Sequence, residues 1–529
     1  MNTVLVPDWI TPAERRVWGL DGPDGADRLW RRSILPRFPG RFANALADKY
    51  QHIYIDQGRR TGNLFLLETA ESINPGILKL ASCDEDIRHF ATLRATQCSR
   101  LAAIRPDSAY RLLSRLVKSF GIGPPVVGEH ISEDGAIARM RDELWWRRAL
   151  RKAHGRDLEH FAIGLGLVHK FAGVYASDET VQRRREQRFR NRRLLESLAA
   201  VNELDQEYSL QELAELGVAN PRIRRGELMA RIAGFELIAK DLSHPAEFYT
   251  LTCPSRMHAR SSKSGGENPR YDGTSPRQAQ ANLSKHWSQI RAKLDREEIR
   301  LYGFRICEPQ HDGTPNWHLL LFMERSHVDR VRETLMAYAL RVDGDEPGAH
   351  EHRFAAVPID YALGSAAGYI AKYVSKNIDG FGLEDDNNGH DARSSSERVA
   401  AWASTWGIRQ FQQIGGPPVT VWRELRRLSD APDGILGDGV QAADKADWRT
   451  FVRLMGGATA KRADRPVKLA KVWSDERGQY GEPLGLRVIG VEAEGKTAVS
   501  RVHSRRVERS RTAPQALCGK TVDPVGRAL

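Results

Sequence analysis

The clearest pattern of hydrophobic and polar positions is a pair of strand-like segments on either side of a turn. Phe304 and Ile306 alternate with more polar neighbours, and the continuous apolar run Leu319-Leu320-Leu321-Phe322 follows further along the chain. Asp312-Gly313 lies between them and has the composition of a tight turn. Together these features predict a β-hairpin whose second strand is buried.

Other periodic segments surround this hairpin and set the predicted fold class. Residues 248–254 have a strand pattern, whereas residues 275–298, 328–340 and 370–378 repeat their apolar positions at helical spacing. The order is strand, helix, hairpin, helix, strand and helix. This order predicts an α+β fold in which helices cover the faces of an antiparallel sheet.

Changes in composition divide the chain into five predicted regions. Residues 1–125 mix short helical patterns with Gly/Pro-rich loops, and residues 126–242 are mostly helical and basic. Residues 243–385 contain the α+β pattern and form the candidate catalytic domain. Residues 386–430 follow it. Residues 431–529 are rich in glycine, alanine and charge, so we expect most of this tail to be weakly structured.

The overall charge favours a polyanionic partner. The 529 residues include 80 Lys and Arg against 68 Asp and Glu, which gives a net charge of +12. Nucleic acid is the usual partner of such a chain. No apolar run long enough for a membrane span occurs, and no basic segment leads into an apolar one at the start, so neither a span nor a secretory signal is expected. The five scattered cysteines form no CxxC pair, which fits a reducing cytoplasm.

A dense run of arginines lies in the basic helical region. Arg183, Arg184, Arg185 and Arg188 are so closely spaced that they cover much of a helix's circumference. Such a helix is either a solvated surface or a contact to the phosphate backbone that is insensitive to base sequence, and both interpretations stay open. Arg256, in the polar loop after the first strand, is a further candidate for DNA binding.

A helix-turn-helix outline follows the arginine run. Ser209-Leu210-Gln211-Glu212 is a capping box that opens one helix, and a second helix begins near Ile223. Such a pair is either a plain packing unit or a reader of DNA bases.

Three polar side chains of the predicted hairpin are candidate metal ligands. Side chains two apart on a strand share a face, so Asn316 and His318 point the same way. Glu308 reaches that face if the two strands pair as predicted. A carboxylate, an amide oxygen and an imidazole together suit a hard divalent cation such as Mg²⁺ or Mn²⁺.

The last predicted helix of the catalytic region carries candidate nucleophiles. Tyr369 and Tyr373 are four residues apart, so both hydroxyls emerge on one face, and Lys372 and Lys376 form a neighbouring stripe. A phenol is almost fully protonated at neutral pH, so a nearby cation or a metal that polarises the target phosphate would be needed to activate it. The pattern therefore suggests phosphoryl transfer to tyrosine. The alternative is that both tyrosines are core or cation-stacking aromatics.

These motifs carry a family resemblance. The chain resembles the replication initiators of the phage gene A family, which belong to the HUH endonuclease superfamily. Residues 248–254 are similar to that family's Thr-rich strand, residues 308–318 to its histidine hairpin, and residues 369–376 to its tyrosine helix. Residues 402–428 are similar to the segment that follows this helix, so the resemblance implies that residues 386–430 are a family-specific extension.

The resemblance implies a fold, an activity and partners. The fold would be an HUH-type ferredoxin-like antiparallel sheet with flanking helices, preceded by the basic helical region. The activity would be metal-dependent nicking of one strand at a replication origin by a tyrosine, through a 5′-phosphotyrosine intermediate, with rejoining after rolling-circle replication. The implied partners are single-stranded or supercoiled origin DNA and the host helicase and DNA polymerase, in the cytoplasm of a bacterial host.

One departure from the family pattern keeps alternatives open. The superfamily usually has histidine at both ends of its His-apolar-His unit, and this chain has Asn316-Trp317-His318. Asparagine still offers a carbonyl oxygen to Mg²⁺. His311, in the turn, is a substitute ligand if the loop folds back. The other interpretations are a relaxase or transposase of the same superfamily, and a DNA-binding protein whose nuclease site has decayed.

Overall fold

The computed structural model describes residues 10–20, 25–72, 78–382, 391–430 and 432–511. The chain divides into two compact units. The first comprises residues 1–168, 177–180 and 474–485, and the second comprises residues 169–176, 181–473 and 486–529. None of the helices in the described ranges has both the length and the apolar composition needed to cross a lipid bilayer.

The first unit is mainly helical. One of its apolar clusters joins residues such as Ile87, Cys98, Leu113 and Trp146, whose spacing along their helices places them on the inward faces. The helices are α1 (Pro12–Val17), α2 (Arg28–Ile34), α3 (Gly40–Gln57), α4 (Arg59–Ser72), α5 (Asp84–Ile104), α6 (Ala109–Ser119), α7 (Glu133–Met140) and α8 (Glu143–Leu165).

The remaining helices and the strands belong mostly to the second unit. The helices are α9 (Asp178–Ser197), α10 (Leu210–Glu215), α11 (Pro221–Asp241), α12 (Pro276–Arg296), α13 (Val328–Ala339), α14 (Ala349–His352), α15 (Ala366–Ile378), α16 (Ala392–Trp406), α17 (Val419–Leu425), α18 (Ile435–Asp444) and α19 (Trp448–Leu454). The strands are β1 (Leu198–Asn202), β2 (Glu207–Ser209), β3 (Ala246–Leu251), β4 (Tyr302–Pro309), β5 (Pro315–Phe322), β6 (Phe354–Pro358), β7 (Phe411–Ile414), β8 (Lys468–Arg477), β9 (Pro483–Ala493), β10 (Lys496–Val499) and β11 (Arg505–Arg509).

A five-stranded antiparallel sheet organises the second unit. Its strand order is β6-β3-β5-β4-β7. Along the chain, α12 connects β3 to β4, a five-residue loop connects β4 to β5, and α13 precedes β6. In that loop Gly313 has a φ of 84° and donates its N–H to the Gln310 carbonyl at 2.9 Å. The predicted α+β class and hairpin are therefore confirmed.

The two faces of this sheet are covered by different helices. Phe248 and Leu320 lie on one face and pack in the core that includes Phe235 of α11 and Ile370 of α15. Trp317 points to the other face, where its indole nitrogen donates to Gln280 of α12 at 2.9 Å. The alternation of side chains along β5 therefore places His318 on the face that α15 covers.

The expectation of a weakly structured tail is wrong for residues 435–509. This part of the chain forms α18, α19 and β8–β11. Trp448 and Phe451 are buried in the same core as Phe235 and Trp422, so a few well-placed aromatic side chains compensate for a composition that is low in them. Residues 512–529 of the predicted tail lie outside the described residues.

A matched pair of glycines on α11 tests this packing. A Cβ atom built at Gly234 would lie 2.5 Å from the Cβ of Trp448, whereas one at Gly226 meets nothing within 4 Å. We expect Gly234→Ala to lower the free energy of unfolding by about 1–3 kcal/mol through overpacking. Gly226→Ala should raise it by about 0.5–1 kcal/mol through its better helix propensity. Denaturant unfolding measures both, and equal effects of the two substitutions would show that α19 does not pack on α11.

Candidate active site

His318 is the centre of a buried polar cluster on the sheet. Its Nδ1 lies 3.1 Å from the Thr250 hydroxyl, and its Nε2 lies 3.1 Å from Glu308 Oε1 and 3.3 Å from Asn316 Nδ2. The strand register explains the arrangement. His318 stands opposite Thr250 of β3, and Glu308 of β4 stands opposite Asn316 of β5. Three neighbouring strands thus bring the four side chains together, and the prediction that Glu308 shares their face is confirmed.

The Glu308 carboxylate is buried and surrounded by donors. Its Oε2 accepts from Asn377 Nδ2 at 3.1 Å and lies 3.7 Å from the ammonium of Lys376. Burial alone would raise the pKa of this carboxyl. The charge of Lys376 and the hydrogen bond from His318 outweigh burial and hold the pKa at about 2. Glu308 is therefore an anion at any physiological pH.

Asn316 has an unused oxygen in this cluster. Its Oδ1 is buried and has no hydrogen-bond partner, although an amide oxygen has two acceptor sites. The two neighbours of His318 Nε2 also make opposite demands on its protonation. Glu308 requires a proton from it, whereas the Asn316 N–H group requires its lone pair, and one ring nitrogen cannot supply both at once. The amide nitrogen of Asn316 is the atom that faces His318 Nε2, so the oxygen would face this ring nitrogen only after a rotation of the amide group.

The residues that fit a metal ion are few. No group of three or more His, Cys, Asp and Glu side chains among the described residues is placed to hold one. A metal at this cluster would therefore need the Asn316 oxygen as a third ligand beside His318 and Glu308. Such a mixed set of oxygens and one imidazole nitrogen fits a hard divalent cation.

His311 does not join this set. Among the described residues, no hydrogen bond or ring contact connects it to the His318 cluster. Its neighbour Asp312 is buried and pairs with His258 at 3.3 Å. In the same loop the Gly313 carbonyl accepts from the Trp402 indole at 2.7 Å. These contacts hold the turn in place, and the Nδ1 of His311 is buried without a partner.

The two tyrosines of α15 lie over the same face of the sheet. The ring of Tyr373 is 4.3 Å from that of His318 and 5.3 Å from that of Phe248. The ring centroid of Tyr369 lies 4.7 Å from that of Phe248, and Tyr369 is 39% exposed. Tyr373 is therefore the tyrosine next to the polar cluster, and Tyr369 lies one helical turn away and nearer to solvent.

The two lysines of this helix occupy different environments. The Lys372 ammonium is exposed and lies 4.9 Å from the Tyr373 ring and 6.0 Å from the Tyr369 ring. Lys376 is 6% exposed and faces Glu308 and the Tyr175 ring. Burial raises the pKa of Tyr373, and the negative charge of Glu308 raises it further. Lys372 is thus the cation that stands beside the phenols.

Two functional neighbours were not found from the sequence. Asn377 donates to Glu308 and to the Tyr373 carbonyl, and Gln410 donates to the Asn377 carbonyl at 3.1 Å. Asn377 follows Tyr373 by four residues, so helical spacing could have indicated it. Gln410 lies more than thirty residues further on, and no local pattern connects it to the cluster.

The candidate DNA-binding arginines differ in their partners. Arg185 forms a two-pronged ion pair with Glu397, and Arg256 is bound by Asp272 and by Asp343. Their charges are already compensated within the protein. Arg184 differs, since its Nε is buried without a hydrogen-bond partner. Arg183 and Arg188 lie on the same helix, α9.

Comparison with known proteins places the chain in a family. The family model described as bacteriophage replication gene A protein (GPA) matches residues 82–381. This chain belongs to the bacteriophage replication gene A protein family. The match includes β3, the hairpin and α15, and therefore all the residues of the His318 cluster and both tyrosines. No solved structure shows a significant match.

Several curated relatives are similar over most of this chain. It is 44% identical to the replication gene A protein of Escherichia phage 186 over 69% of its own length and 55% of that protein. It is 40% identical to the probable replication protein P12 of Pseudoalteromonas phage PM2, over 73% of this chain and 61% of P12. A probable replication endonuclease from a prophage-like region of Salmonella paratyphi A is 33% identical, over 80% of this chain and 55% of that protein. The chain thus spans little more than half the length of these relatives.

The pairing of Glu308 in this gene A family member can be tested by pH-dependent unfolding. Without added metal, Lys376→Met should lower the free energy of unfolding at neutral pH by about 3–5 kcal/mol, because it leaves a buried carboxylate without its cation. The stabilisation that depends on the lowered pKa is present above 4.5 and is lost as the pH falls towards 2. The deficit of the variant should therefore shrink over that range.

Lys372→Met is the matched control, since it removes an exposed lysine from the same helix. It should change stability by no more than about 0.5 kcal/mol. A deficit of Lys376→Met that stays constant between pH 7 and pH 3 would contradict the role of Lys376 in holding Glu308 ionised.

Proposed function

We propose that this protein nicks and rejoins one strand of DNA at a replication origin, with Tyr373 and Tyr369 as nucleophiles. The observation that carries the proposal is the position of Tyr373. Its ring lies 4.3 Å from His318, which is itself hydrogen-bonded to the ionised Glu308. A potential nucleophile thus stands beside a set of side chains suited to a cation. The relatives named as replication proteins and replication endonucleases support the same function.

The proposed domain is an HUH-type ferredoxin-like fold. Its support is the order of elements, β3-α12-β4-β5-α13-β6 with the short α14 before β6, together with the spatial strand order β6-β3-β5-β4. The order is similar to the split β-α-β pattern of ferredoxin-like domains, and this similarity supports the proposal. Strand β7 then extends the sheet at the β4 edge.

The proposed cofactor is Mg²⁺ or Mn²⁺. His318 Nε2, Glu308 and Asn316 Oδ1 would hold it, and the unpartnered Asn316 oxygen is the main support. When bound, the cation would polarise the scissile phosphate and offset the charge that develops during displacement. Thr250 would fix the orientation of the imidazole by accepting from Nδ1, as the outer partners of metal-bound histidines do.

The proposed first step is attack by Tyr373. Its phenol oxygen loses its proton and forms a bond to phosphorus, while the bond from phosphorus to the 3′ oxygen breaks and that oxygen takes up a proton. The products are a 5′-phosphotyrosine and a free 3′-hydroxyl, which would prime synthesis. Tyr373 is protonated at neutral pH because burial and Glu308 raise its pKa. The Lys372 ammonium, 4.9 Å from the ring, would stabilise the phenolate.

The second tyrosine would complete the cycle. Tyr369 lies one turn from Tyr373 on the same helix face and is more exposed. It would cleave the regenerated junction after one round, and the released 3′-hydroxyl would then attack the first phosphotyrosine and close the strand. The proposed partners are single-stranded or supercoiled origin DNA and the helicase and polymerase of a bacterial host, in whose cytoplasm the protein would act. Relaxases and transposases share the chemistry, but the relatives' names favour replication.

A covalent-adduct assay tests the roles of the tyrosines. The protein is incubated with Mg²⁺ or Mn²⁺ and labelled single-stranded DNA from the element that encodes it, and the products are separated on a denaturing gel. Tyr373→Phe should reduce the initial adduct at least about 100-fold, because the nucleophile next to the cluster is lost. Tyr369→Phe should form the initial adduct but fail to join strands. Adduct formation by the double variant would disprove both roles.

Substitutions in the polar cluster test the metal assignment. His318→Ala should abolish cleavage while single-stranded DNA binding stays within about twofold, since the side chain is buried and contributes no surface charge. Asn316→His should keep or raise activity with Mn²⁺, because Mn²⁺ accepts a nitrogen ligand more readily than the harder Mg²⁺ does. Normal cleavage by His318→Ala would show that the metal lies elsewhere. Normal DNA binding by every variant without any cleavage, wild type included, would favour a decayed nuclease.

A further inference from the structure

A large groove beside the sheet edge in the second unit is rich in arginine. It has a volume of about 1590 Å³, and its walls include parts of α11, α12, strand β7 and the loop around residues 458–465. Ten cationic side chains line it: Arg184, Arg224, Arg231, Arg291, Arg300, Arg409, Arg423, Lys461, Arg462 and Arg465. Only two carboxylates, Glu227 and Asp295, line the same groove.

Internal ion pairs use only part of this charge. Glu227 is paired with Arg423 and Arg231, and Asp295 is paired with Arg300. Arg465 is engaged by backbone carbonyls of its own loop. In the described ranges no carboxylate pairs with the other six cations, Arg184, Arg224, Arg291, Arg409, Lys461 and Arg462. Such a concentration of unpaired charge lowers the stability of the isolated protein and would be relieved by a polyanion.

Two further observations point to nucleic acid as the ligand. The Arg184 Nε is buried without a hydrogen-bond partner, so one guanidinium in the wall has an unused donor. The Arg224 guanidinium lies over the half-buried Phe411 ring at 5.3 Å, which combines a cation with an aromatic surface. Grooves that hold single strands use this combination, since cations follow the backbone and flat groups stack on bases.

The groove adjoins the candidate active site. Gln410 lines the groove and donates to the Asn377 carbonyl at 3.1 Å, and Asn377 donates to Glu308 at 3.1 Å. Two hydrogen bonds therefore connect the groove wall to the carboxylate of the His318 cluster.

We propose that this groove binds the phosphate backbone of the single-stranded DNA that flanks the scissile phosphate. The proposal rests on the proposed nicking function and adds a second contact surface to it, separate from the tyrosines. An acidic peptide added to the edge strand is the less suitable occupant. Strand β7 has only four residues and is followed directly by Gly415-Gly416-Pro417-Pro418, so it offers little edge for pairing.

A pair of charge-removing variants tests the groove. Arg224→Gln/Arg291→Gln removes two exposed arginines that line it, and Arg325→Gln/Arg426→Gln removes two exposed arginines that do not. The measurement is equilibrium binding of a fluorescent single-stranded oligonucleotide as a function of salt. Each lost phosphate contact should reduce the slope of log K against log salt by about 0.7. The groove variant should therefore lose about 1.4 from the slope and roughly 25-fold in affinity at 0.1 M salt.

Three further outcomes are decisive. Equal slopes for the groove and control variants would overturn the proposal, because the loss would then reflect net charge alone. If the groove variant lost binding to polyglutamate but kept its binding to DNA, an acidic peptide would replace DNA as the occupant of the groove. Weaker binding of the groove variant to duplex DNA, with unchanged binding to single-stranded DNA, would also overturn the proposal. Arg224→Lys/Arg291→Lys keeps both charges and should restore most of the slope.

The nicking proposal is tested separately in the same preparations. If the wild-type protein forms a tyrosine adduct and the groove variant keeps its salt slope, DNA binding by the groove is refuted and the nicking function stands. If the wild-type protein forms no adduct and the groove variant has a reduced salt slope, nicking is refuted and the groove stands as a nucleic-acid site.

Discussion

The buried negative charge of Glu308 is the constraint on which the candidate site depends. A carboxylate removed from water is costly unless cations and hydrogen-bond donors surround it. Here Lys376 and Asn377 come from α15, and His318 comes from β5. Because two of these three groups lie on one helix, satisfying Glu308 also fixes the rotation and height of α15 over the sheet. That placement brings Tyr373 against the His318 ring.

The antiparallel register supplies the other half of the arrangement. His318 faces Thr250 on one side and shares the face of Glu308 on the other, so three strands each contribute a polar side chain to an otherwise apolar surface. A shift of one residue in either strand pair would turn Glu308 or Thr250 to the opposite face. The surrounding apolar residues, Phe248, Ile306 and Leu320, oppose such a shift because they would lose their places in the core.

The parts of this site that are local in sequence could be predicted, and the parts that depend on distant pairing could not. Alternation at residues 304–306, the turn residues Asp312-Gly313 and the apolar run 319–322 are sufficient to predict the hairpin. The shared face of Asn316 and His318 follows because strand geometry has a period of two. The same reasoning could not place His311, because the turn is held by contacts from His258 and Trp402, which come from distant segments. It also missed Gln410 and the buried aromatic residues of α19. The hydrogen bond of Gln410 and the burial of the α19 aromatic residues both depend on elements that are distant in sequence.

In the proposed metal site, the asparagine of the hairpin would supply an amide oxygen where the superfamily usually has an imidazole nitrogen. An amide and an imidazole are both neutral ligands, so replacing one by the other leaves the charge of the cluster unchanged. Without a metal, Glu308 and Lys376 already neutralise each other, and a dication would meet only one carboxylate. A second imidazole would favour softer ions, whereas the Asn316 oxygen favours hard ones. If a metal binds as proposed, the set of Glu308, Asn316 and His318 would favour Mg²⁺, which keeps several of its water ligands and needs few from the protein.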